Sequence, residues 1–82
     1  MDKSFIPEYV VYKVANATLQ QLKQWTIYHF SSKRMILEDI NTIQIDDLKI
    51  FSEHYLIHLF GNFHTDVELE ILYNEFLTMG GN

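Results

Sequence analysis

The side chains best suited to chemistry are His54 and His58, one helical turn apart in the run Asp46 to Phe60, D-D-L-K-I-F-S-E-H-Y-L-I-H-L-F. This H-x-x-x-H spacing is the one zinc-binding helices use. A metalloprotease helix needs glutamate directly after the first histidine; that residue here is Tyr55, and Glu53 belongs to a different helix side. His64 supplies a third nitrogen only if the following loop folds back. The chain has no cysteine and no evident fourth ligand, so neither a metal nor a cofactor is assigned. Histidine is the residue type suited to sensing pH, which leaves pH sensing as a second reading for the pair.

Nucleophilic catalysis finds less support. Ser31, Ser32 and Ser52 lie outside any G-x-S-x-G elbow, and Ser52 on a helix can bond back to a carbonyl. The three glycines mark helix ends rather than a phosphate cradle. The carboxylates sit at helix starts, where caps and dipole partners belong. No catalytic residue is assigned, and the chain reads as a non-enzyme.

These residues need elements to place them. At 82 residues the chain is expected to be one domain, residues 1–82, without internal repeat or linker. The lead-in Met1 to Ile6 reads as loosely held. Glu8 to Ala15 is ambiguous: its β-branched and aromatic residues suit a strand, while Val10, Val11 and Val14 also form a helical stripe. Pro7 suits a first helical turn, and helix from Pro7 to about Ala15 is favoured. Thr18-Leu19-Gln20-Gln21 is a capping box opening a helix to about Phe30, with Leu19, Leu22, Thr26 and Phe30 as its stripe and Trp25 and His29 beside it. Ser31-Ser32 breaks it, and Ser32 caps a short helix from Lys33 to about Ile40. Asn41-Thr42 is a turn, and Ile43 and Ile45 lead extended into the central helix.

The central helix is the organising element. Asp46 reads as its N-cap and Gly61 as its left-handed end. Leu48, Phe51, Tyr55 and Leu59 make one stripe, widened by Leu56 and Phe60; Ile50 and Ile57 lie nearly opposite. A helix apolar on two sides should be covered on both, by its own fold or by another molecule. Thr65-Asp66-Val67-Glu68 opens a last helix whose stripe is Leu69, Leu72, Phe76 and Met79, ended by Gly80-Gly81. The short loop before it makes the last two helices an antiparallel hairpin. The fold class is therefore all-α: a compact bundle of four to five short helices ending in an antiparallel helical hairpin.

Charge narrows the function classes. Through Arg34 the chain nets +3, and from Met35 onward −8, for −5 in all. An acidic C-terminal half repels nucleic acid and attracts basic surfaces. A helix-turn-helix reading of Leu19 to Leu37 would put Met35, Ile36 and Leu37 at recognition positions with only Lys33 and Arg34 nearby, so direct DNA binding is not expected. No apolar run reaches the length of a membrane span, and the start, M-D-K-S-F-I-P-E, lacks a signal-peptide core. The expectation is a cytoplasmic, acidic, regulatory or inhibitory protein that binds another protein and self-associates as a homodimer through apolar helix faces. Its candidate surface is Ile50, Ile57, Val67 and Ile71, ringed by carboxylates that include Glu68 and Glu70. A second expectation is that the acidic half mimics nucleic acid and occupies a DNA-binding protein.

Overall fold

The computed structural model describes residues 2–80, and among these every regular element is helical. Helices α1 (Ile6–Ala15), α2 (Leu19–Ser32), α3 (Ile45–Gly61) and α4 (Asp66–Thr78) follow in order, with a 3-10 turn at Ile40–Thr42 before α3. The all-α bundle and its closing hairpin are as the patterning predicts.

Pro7 resolves the ambiguous first segment. It sits in the first turn of α1, where its missing N–H leaves no bond unmade. A strand here would need a pairing partner, and neither 35–37 nor 43–45 forms one. The helix buries Ile6, Tyr9, Val10 and Val14. The lead-in is tighter than expected. Asp2 accepts hydrogen bonds from the Ser4 N–H and hydroxyl, which hold its carboxyl below its ordinary range. Lys3 donates to the Gly61 carbonyl at 3.0 Å, and Phe5 is buried. Met1 lies outside the described residues.

The Thr18 box forms in full: the Gln21 N–H donates to the Thr18 hydroxyl, and the Thr18 N–H donates to the Gln21 side chain. The stripe of α2 is rotated from the expected one. Leu22, Thr26 and His29 are buried, Phe30 and Trp25 are half-buried, and Leu19 is half exposed. The helix also runs through Ser32, so the separate helix expected from Lys33 to Ile40 does not form. Arg34 is the cause. It takes a left-handed φ of 55°; its N–H donates to the Ser31 carbonyl, and the Met35 N–H donates to the Phe30 carbonyl. That pairing is a Schellman termination built without glycine. Residues 35–39 then run irregularly to the 3-10 turn, where Asp39 accepts from the Asn41 N–H.

Two polar side chains lock α2 to α3 inside the core. The Thr26 hydroxyl donates to the Leu22 carbonyl at 2.8 Å and lies 3.3 Å from the Leu48 carbonyl; the Ser52 hydroxyl crosses from α3 to the Leu22 carbonyl at 3.2 Å. Ser52 thus bonds across helices rather than back along its own. It permits the close approach of α2 and α3, since any larger side chain would hold them apart.

α3 differs from its expected outline in three respects. Its N-cap is Gln44, without a side-chain cap bond, so Asp46 and Asp47 serve the dipole from the first turn instead. Gly61 is the last helical residue and needs no left-handed backbone, because the Asn62 amide donates to the His58 carbonyl left open at the helix end. The buried stripe is Leu48, Ser52, Leu56 and Phe60, with Phe51 and Tyr55 half-buried and Leu59 42% exposed. Both α1 and α2 pack on α3.

α4 opens on Thr65, whose hydroxyl accepts from the Glu68 N–H, and buries Leu69, Leu72 and Phe76. Gly80 ends it at φ 84°, as expected; Gly81 lies outside the described residues. Side chains tie α4 to α1. Phe5 meets Tyr73 and Phe76, Tyr9 stacks flat on Phe60 at 5.3 Å, and the Tyr9 hydroxyl reaches the Glu75 carboxylate. Burial, then that hydrogen bond and the Glu75 charge, push the Tyr9 phenol well above its ordinary pKa. Lys13 joins the same carboxylate at 3.2 Å and lies 5.7 Å from the Tyr9 ring centre.

The principal extents are 39 × 25 × 16 Å. The far side of the central helix is left uncovered, with Ile50 and Ile57 48% and 41% exposed.

Candidate functional site

The apolar face expected to be sticky is open. Ile50 and Ile57 are 48% and 41% exposed on the side of α3 turned away from Leu48, Ser52 and Leu56. Val67 and Ile71 are 68% and 62% exposed on the side of α4 opposite Leu69, Leu72 and Phe76. Glu70 is exposed and Glu68 half-buried. These residues occupy the outward faces of two different helices, with Glu68 in the first turn of α4, where the helix dipole favours it.

The histidines are regrouped by the fold. His64 stays in the 62–65 link and is exposed. His54 and His58 instead meet His29 of α2, which the sequence placed only beside a stripe. These three rings line a cleft of about 380 Å³ with Ser32, Lys33, Met35 and Tyr55. His29 is buried, stacked on Phe51 at 5.5 Å, with Phe30 at 5.9 Å and His54 at 6.1 Å. Desolvation, then His54 and Lys33, hold its imidazole below the ordinary histidine pKa. No carboxylate lines the cleft. Among the described residues no three histidine, aspartate or glutamate side chains converge to hold a metal ion.

A second cleft, about 450 Å³, opens on the other side of Met35. Ile27, Phe30, Met35, Leu37 and Ile40 form its apolar wall, and Glu38 and Asp39 its rim. Between the clefts, Ile36 projects into solvent at 88% exposure, the highest among the large exposed apolar residues described. A helical reading of 33–40 hid this segment, since it makes Met35, Ile36 and Leu37 apolar residues of a helix that does not form. The available signal was the polarity sequence Lys-Arg, Met-Ile-Leu, Glu-Asp, which suits neither helical nor alternating burial.

No helix described is long and apolar enough to cross a membrane. No protein-family model matches the chain, and neither a curated protein nor a solved structure matches it.

Proposed function

We propose that this chain is a non-enzymatic protein-binding module, regulatory or inhibitory in role and able to self-associate, which engages its partner through the outward faces of α3 and α4. The observation behind this reading is the exposure of Ile50, Ile57, Val67 and Ile71 on helices whose opposite faces already fill the core. Large apolar side chains left in water favour association, because covering them recovers about 25 cal/mol per Å² removed from solvent. Glu68 and Glu70 border the α4 patch, which favours a partner with apolar contacts framed by lysine or arginine.

The test is affinity capture with Ile57→Lys and Ile71→Lys variants beside the parent chain. Both residues are exposed, so helix content by circular dichroism should be unchanged and capture lost. Binding that persists in both variants would remove this surface. A salt titration of the captured complex separates the alternative: mimicry of nucleic acid requires steep weakening with salt, an apolar interface little.

A further inference from the structure

Every residue from Lys33 to Asp39 is exposed except Leu37, which is half-buried; Met35, Leu37 and Asp39 line the apolar cleft, and Ile36 stands out at 88%. Glu38 also touches the cleft rim. The segment thus runs along the rim of the cleft with Ile36 foremost in solvent. The Schellman termination at Arg34 sets this course by turning the chain out of α2. Among the described residues no intrachain hydrogen bond is made by the backbone of Ile36 or Leu37. An irregular run with unpaired backbone groups and an exposed apolar side chain is a ready surface for another chain.

The charges specify which chain. Lys33-Arg34-Met35-Ile36-Leu37-Glu38-Asp39 is two cations, three apolar residues and two anions, symmetric about Ile36 with sign inverted. Turned end for end, the segment is its own electrostatic complement. We infer that two copies of this chain associate about a twofold axis through residues 33–39, lying antiparallel with Ile36 against its counterpart and Arg34 against Glu38 of the other copy. This rests on the self-association in the reading above and names its surface, separate from the partner-binding faces of α3 and α4. A twofold contact uses the same patch on both copies, so each Arg34–Glu38 pairing occurs twice. Parallel pairing would set like charges opposite each other and is disfavoured.

The segment is short. A stable dimer buries about 1,200–2,000 Å² in total, more than seven residues a side supply, so the dimer is weak, with Kd on the order of 100 μM. The exposed Ile27 beside Met35 extends the apolar patch only modestly.

Sedimentation equilibrium of the full chain, from about 10 μM to 1 mM, tests this against Ile57→Lys and three further variants. Ile36→Asp should weaken dimerisation at least tenfold with helix content intact. Arg34→Glu and Glu38→Arg should each be monomeric alone. Mixed in equal amounts they should form a heterodimer, because every pairing across the axis then joins opposite charges. A mixture that stays monomeric overturns the antiparallel register. A dimer indifferent to Ile36→Asp but lost in Ile57→Lys also overturns it, moving self-association to α3. A parent chain monomeric at 1 mM overturns it too, and leaves capture through α3 and α4 to be judged separately. Should Ile36→Asp fail to fold, the mixing experiment decides alone.

Discussion

Two clusters of aromatic rings hold this molecule, and they differ in kind. Around Tyr9, the rings of Phe5, Phe60 and Phe76 are all buried, and the one phenol among them meets a carboxylate that also holds Lys13. Around His29, the rings of Phe30, Phe51 and His54 are half-buried or exposed, and two of the four are imidazoles. Ring spacings are similar in both, between 5.0 and 6.3 Å. What separates them is water: one cluster is closed and carries stability, while the other opens onto a cleft and can respond to its surroundings.

Removing the closed cluster's centre should have the largest effect. Tyr9→Ala is expected to cost about 3–5 kcal/mol, most of what a domain this small commands, and should leave a large unfolded fraction in a denaturant titration. Phe51→Ala, at the open cluster, should cost about 1–2 kcal/mol, since its ring is already half in water. Equal losses would mean the two clusters are one.

Acid should distinguish them without mutation. The folded-state pKa of His29 lies below its ordinary 6.5, so below about that pH the unfolded chain binds more protons than the folded one. Its contribution is complete above pH 6.5, falls as pH drops through that value, and levels off once pH is under the folded pKa. Denaturant midpoints from pH 7.5 to 5 should therefore decline in the parent and flatten in His29→Phe. An unchanged slope in the variant would assign the decline to other groups.

The smallest effect concerns the end of α2. Arg34→Gly relieves a left-handed backbone at a residue with a Cβ and should stabilise by about 0.5–1 kcal/mol, read as a raised denaturant midpoint. A loss instead would show that the Arg34 side chain contributes more than its backbone costs.

Element positions were legible where local rules suffice. Thr18 with Gln21, Thr65 with Glu68, and Gly80 announce helix boundaries because their hydrogen bonds and φ angle are satisfied within a few residues. The region 33–40 was misread because Ser32 before an apolar run also resembles a helix start, and nothing local reveals that Arg34 will leave the helical basin. The core stripes of α2 and α3 were read with one face slightly rotated: Leu19 and Leu59 look like core by spacing, whereas His29 falls only beside the stripe. Their burial depends on where the neighbouring helix lies.

The candidate surfaces divide the same way. Ile50, Ile57, Val67 and Ile71 were recoverable because a face opposite a complete stripe is outward in any small bundle. By itself the sequence determined the helices, their caps and the surplus of apolar faces, since period and capping act within one or two turns. Only the tertiary structure decided that the far side of α3 is left uncovered, that His29 joins His54 and His58 at one cleft, and that Ile36 stands in water. Those facts arise from contacts between residues far apart in the chain, whose geometry no local pattern encodes.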